Sequence, residues 1–188
     1  PPMRRALLLG ILVVAFALPL VVRSATYMHI LVLLLFYAYL TTSWNIVGGF
    51  AGVLPLGHAA FVGIGAYTST VLSLQYGVSP WLGMLVGGVL AMVAGIIIGL
   101  PTLKMRGAYF ALATIAFAEG FRVMVENFDY IGPLKLNGPR GLQIPPLETG
   151  LANFMFSTKE PYYYIILIML LAVMLLTYVI SRSKLGYY

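Results

Sequence analysis

Few residues in this chain can do chemistry, and they stand far apart in sequence. Its 188 residues hold eleven Lys and Arg, five Asp and Glu, two His and no cysteine. Zinc asks for three or four ligands, and His29 and His58 are the whole imidazole supply. Without cysteine there is neither a thiolate site nor a disulfide framework. No metal and no cofactor is therefore expected. The chain contains no H-E-x-x-H, no G-x-S-x-G and no paired carboxylates within an apolar segment, so it lacks the usual means of acid–base and nucleophilic catalysis. One stretch does invite a ligand: GGFAGVLPLGHAAFVGIGAYTS, residues 48–69. A dinucleotide loop needs G-x-G-x-x-G. Gly63 and Gly65 supply the first pair, but Thr68 stands in the third place. A phosphate loop needs Gly-Lys-Ser/Thr, and no glycine here is followed by lysine. The glycines must serve something other than phosphate.

The elements that carry these residues are set by composition. The chain is 61% hydrophobic and 9% charged, with a mean hydropathy of +0.98, against about 25% charged residues in soluble domains. Too few polar residues remain to cover a water-soluble core, so the bilayer is the natural solvent. A membrane helix needs about 20 mainly apolar residues. Six segments meet that need: 6–22, 28–47, 54–74, 81–103, 108–125 and 162–180. The expected fold is an all-α integral membrane protein, a polytopic bundle of about six transmembrane helices forming a single transmembrane domain over 1–188. Three basic clusters, Arg4 with Arg5, Lys104 with Arg106, and Arg182 with Lys184, contain no acid. With six spans they fall on one side, which the positive-inside rule makes cytoplasmic, as are both chain ends. The long segment 126–161 faces the other side and mixes Glu126, Asp129, Glu148 and Glu160 with Lys135, Arg140 and Lys159. It is expected to form an ordered cap or a short helix. The net charge of +6 is thus explained by topology, without nucleic acid.

Within this frame the small residues divide into two groups. In the fourth segment Gly83, Gly87, Ala91, Gly95 and Gly99 recur at every fourth position. Such a small-xxx-small stripe lets a neighbouring backbone approach closely in lipid, and it is read as helix packing. Gly48, Gly49, Gly52, Pro55, Gly57, Gly63 and Gly65 are different, because glycine and proline at this density interrupt a helix. Broken backbone at membrane depth is tolerated where it is buried in protein or lines a watery cavity, and transporters place it on the substrate path. Two readings follow: a pathway-lining element, or a turn leading into a tightly packed third helix. Asn45, Gly57, His58, Gly63 and Glu119 are the substrate-path candidates. For Glu119 the competing reading is an ion pair with Arg122, three residues on along the same helix face. In the first segment Arg4 and Arg5, an apolar run and Ala15-Phe16-Ala17 resemble a cleavable signal. The apolar run continues to Val22, as in a retained helix.

Three stretches, taken in order, resemble the branched-chain amino acid ABC transporter permease family, and within it the M-type subunit. They are NIVGGFAGVLPLGHAAFVGIGAYTS, LPTLKMRGAYFALATIAFAEGFRVMVEN and LNGPRGL. The resemblance implies a type II ABC importer permease-like fold. It implies a homologous second permease subunit, two cytoplasmic ATPase subunits, an external substrate-binding protein, and a bacterial or archaeal plasma (inner) membrane. It also implies a fragment, since family members continue past the position of Tyr188 into a cytoplasmic coupling segment and further helices. The alternatives are a permease of the same family for urea or short-chain amides, an ion-coupled secondary transporter or channel, and a purely structural membrane subunit.

Overall fold

The computed structural model describes residues 2–22, 24–50, 52–102, 104–105, 107–131, 134–136, 138–144, 150 and 153–183, with the backbone alone at 2–9, 11, 131, 134, 135 and 139. Arg106, Asn137, Glu148 and Lys184 lie outside the described residues, as do the side chains of Arg4, Arg5 and Lys135. Six α-helices make up most of the described chain: α1 (Pro2–Val21), α2 (Ala25–Phe50), α3 (His58–Tyr76), α4 (Pro80–Thr102), α5 (Ala108–Asn127) and α6 (Glu160–Arg182). All six expected segments are helical. The third begins later than expected, at His58 instead of residue 54. Pro55 has no N–H to give and turns the residue before it away from helical backbone. Gly52 adopts φ +64°, a left-handed conformation that glycine takes without steric cost.

Four helices, α2, α4, α5 and α6, are long and apolar enough to cross a membrane by length and composition. The protein is a multi-pass helical membrane protein. In α1 the described apolar stretch is Leu12–Val21. Helix α3 carries Thr68, Ser69, Thr70, Ser73 and Gln75, which lower its hydropathy. It packs against both α4 and α5, and a helix surrounded by protein needs less apolar surface than one facing lipid. Elsewhere the lipid-type surface is plain: α4 leaves Leu85, Val89, Ile96, Ile97 and Leu100 exposed.

Two compact units divide the chain, Pro1–Ile46 with Phe156–Tyr188, and Val47–Met155. The first is built from α1, α6 and most of α2 around Met28, Tyr163 and Leu167. Tyr163 is 2% exposed. A phenol buried that deeply requires a partner, and its hydroxyl donates to the carbonyl of Ala15 at 2.9 Å. The Tyr164 hydroxyl donates to the Phe16 carbonyl at 3.3 Å. The signal-like stretch thus lies inside a packed helix whose carbonyls α6 engages.

The second unit holds α3, α4, α5 and an ordered cap. The cap comprises an antiparallel pair, β1 (Tyr130–Ile131) with β2 (Leu134–Lys135), and one 3₁₀ turn at Gly138–Arg140. Leu136 is buried, and its N–H donates to the Asp129 carbonyl at 2.8 Å. The β pair was not foreseen. Its strands are only two residues long, too short for an alternating pattern to register.

Candidate functional site

The site is built where α3, α4 and α5 meet inside the second unit. Helices α3 and α4 run antiparallel and touch backbone to backbone at two places. A Cβ built on Gly83 would lie 3.0 Å from Ser69 Cα, and one built on Gly87 would lie 2.8 Å from the Gly65 carbonyl oxygen. Both glycines are buried. Nothing larger than hydrogen fits there, and the close approach lets dispersion act between the two helices. Ser69 Oγ donates to the Pro80 carbonyl at 3.4 Å, a further tie at the same end.

Toward the other end of the stripe the helices part. A Cβ on Gly95 would meet only the Phe61 ring, at 3.7 Å, and one on Gly99 would meet nothing within 4 Å. Within this unit Gly83 and Gly87 close the helix pair, while Ala91, Gly95 and Gly99 line a gap beside it. The cause lies on α3. Its residues opposite Gly83 and Gly87 are small, but Phe61 then intervenes, with the His58 ring edge-on to it at a centroid separation of 6.3 Å. The aromatic pair wedges the helices apart.

The space left behind is a cavity of about 410 Å³. Its walls are Val47, Val53, Pro55, His58 and Phe61 on one side, and Ala91, Gly95, Ile98, Gly99 and Thr102 from α4 with Phe110 and Thr114 from α5 on the other. Both threonine hydroxyls are engaged locally. Thr102 Oγ1 donates to the Ile98 carbonyl at 2.7 Å. Thr114 Oγ1 donates to the Ala111 carbonyl at 2.8 Å and accepts from Leu56 N–H at 3.2 Å. His58 is the one titratable side chain among the described lining residues.

The interrupted segment before α3 is held by that threonine. Gly57 is buried, and a Cβ there would collide with the Thr114 carbonyl group. The glycine is required by close approach to α5, and the hydrogen bond from Leu56 gives a partner to a backbone donor outside any helix. Within the segment Gly57 packs tightly, while Pro55 and His58 line a cavity.

The other candidates are not brought to this cavity. Gly63 lies against Phe121, whose Cε1 would stand 3.3 Å from an added Cβ. Asn45 is exposed on α2. Glu119 is exposed on α5 and accepts from Arg122 Nε at 2.9 Å. Arg122 also donates to Glu126 at 2.8 Å, so the expected pair is in fact a three-residue ladder along one helix face. Sequence reading missed Phe61, Thr102, Phe110 and Thr114. Hydroxyls in otherwise apolar helices were the available signal for the threonines, since they mark helix contacts in membranes. Nothing distinguished Phe61 from other aromatic residues.

Residues 26–188 match the family described as the branched-chain amino acid transport system permease component. The chain is 36% identical over 143 residues to the high-affinity branched-chain amino acid transport system permease protein LivM of Escherichia coli (strain K12), covering 76% of this chain and 32% of that protein. It is 35% identical over 159 residues to the protein of the same name from Salmonella typhimurium, covering 84% of this chain and 36% of that one. The chain thus spans about a third of the length of these relatives. No solved structure matches it at a significant level.

Proposed function

Because this chain belongs to the branched-chain amino acid transport system permease family, we propose that it forms part of the translocation path of an ATP-driven importer for branched-chain amino acids. The observation that carries this reading is the family match over residues 26–188, which takes in the interrupted segment, the cavity behind it and the stripe on α4. No Walker motif occurs in the chain, so the energy comes from elsewhere. The proposed partners are a homologous second permease subunit, two cytoplasmic ATPase subunits and an external binding protein that delivers the amino acid. The proposed location is the plasma (inner) membrane of a bacterium or archaeon, with both ends of the chain in the cytoplasm, an orientation supported by the acid-free basic clusters. On that orientation the His58 cavity opens in the cytoplasmic half, and the Glu119–Arg122–Glu126 ladder stands in the outer half.

Uptake tests the reading. The complete gene that encodes this chain is expressed in cells lacking their own branched-chain permease, with the ATPases, second permease and binding protein supplied. Restored leucine uptake is the expected result. Uptake of urea without leucine would replace the substrate assignment. A gene that restores neither, although its product is in the membrane, would overturn the importer reading.

A further inference from the structure

We infer that the cavity between α3, α4 and α5 seats the branched aliphatic side chain of the transported amino acid, with Ala91 and Gly99 setting how large a side chain it takes. This rests on the transport reading above and names a site within it. Ligand cavities fall in the range of about 300–1,000 Å³ and are mostly apolar with a few placed polar groups. At about 410 Å³ this one lies near the small end, suited to a metabolite. Its wall chemistry selects the kind of ligand. Ile98, Phe61 and Phe110 are hydrocarbon, and the Thr102 and Thr114 hydroxyls are already donating to backbone carbonyls of their own helices. A solute group against Ile98, Phe61 and Phe110 must therefore be apolar, because a polar one would lose its water there, and the threonines, whose protons are already committed, offer it no donor. The one titratable side chain, His58, and the non-helical backbone at Val53 and Pro55 lie on the other side. A small molecule with a bulky aliphatic end and a compact charged head fits that division.

The size limit comes from α4. Gly99 has nothing within 4 Å of an added Cβ, so its missing side chain is cavity volume, whereas at Gly87 the missing side chain is helix contact. A larger residue at Gly99 thus takes volume from the ligand without displacing protein. Gly88 is the matched control: it too has nothing within 4 Å, but it is exposed and is not among the lining residues.

The test compares leucine and valine uptake by the complete gene product in its assembled transporter, with the amount in the membrane measured for each variant. Gly99→Leu is expected to lower the leucine-to-valine uptake ratio about 10-fold, the scale on which a hydrophobic pocket discriminates one methylene. Gly88→Leu is expected to leave the ratio at the wild-type value. Ala91→Val provides the same test if Gly99→Leu does not assemble, with a shift in the same direction. A Gly99→Leu transporter that carries both amino acids as the wild type does, or loses both in equal proportion, overturns the site, and the cavity then belongs to lipid or to packing. If the wild-type assembly carries neither amino acid, the transport reading fails first, before any variant is compared.

Discussion

Gly87 and Gly99 are the same residue on the same stripe of the same helix, yet they face opposite demands. At Gly87 an added Cβ would stand 2.8 Å from a backbone oxygen and 3.1 Å from a Cα, both of Gly65. Neither atom can rotate away as a side chain can. Gly87→Leu is expected to lower the thermal stability of the detergent-solubilised protein, with overpacking costing about 1–3 kcal/mol or more. Gly99→Leu should leave the melting temperature near that of the wild type. A Gly87→Leu protein that melts with the wild type would mean that the α3–α4 contact is not made. Thr114 is a second residue on which much rests. Thr114→Val keeps the shape but removes the acceptor for Leu56 N–H, and loss of such a half-exposed hydrogen bond costs about 0.5–1.5 kcal/mol. Thr114→Ser should recover most of that loss in the same melting experiment. Equal melting of the Val and Ser variants would show that the hydrogen bond contributes nothing.

At the scale of elements, the start of α3 and the ladder on α5 show how polar backbone and charge are managed in an apolar chain. Helix α3 begins at His58, after Pro55 and the left-handed Gly52 break the run from α2. The cost of that break is offset by Thr114 on α5. The ladder places one arginine between two carboxylates, three and four residues away. These spacings are the ones that bring helix side chains together. The order of the helices also fixes which loops share a side. Ser157 lies just before α6 and Ser183 just after it. With the basic clusters inside, a cysteine at Ser157→Cys should react with a membrane-impermeant thiol reagent applied to intact cells, and one at Ser183→Cys should react only after the membrane is opened. The reversed pattern would invert the proposed topology. These 188 residues hold no cysteine, so no native thiol within them competes for the label.

For the whole molecule the question is the source of energy. On the proposed importer reading, uptake is expected to vanish when the proposed partner ATPase is inactivated at its phosphate-loop lysine. Collapse of the sodium or proton gradient should leave it largely intact while ATP is maintained. The opposite result would place the protein among ion-coupled transporters. Such proteins bind their coupling ions near the bilayer midplane, whereas the described acidic residues Glu119 and Glu126 are exposed and bridged to Arg122.

What the sequence determined by itself was the solvent, the helices and the kinship. A 61% hydrophobic chain with 9% charge can only place that surface in lipid, and long apolar runs there have only the helix to satisfy their backbone. The pairing of Glu119 with Arg122 was legible too, because it lies within one helix and follows from spacing alone. The tertiary structure decided what depends on two helices at once. The four-residue repeat marks Gly83 to Gly99 as one face of α4, but it carries no information about where that face is covered. Coverage ends where Phe61, from another helix, replaces the small residues at Gly65 and Ser69. Likewise Gly57 reads as a helix breaker in sequence, and only the carbonyl of Thr114, on a different helix, shows why a side chain is excluded there. Period and composition describe a helix to its own surface; the gap beyond that surface is set by what the neighbouring helix brings to it.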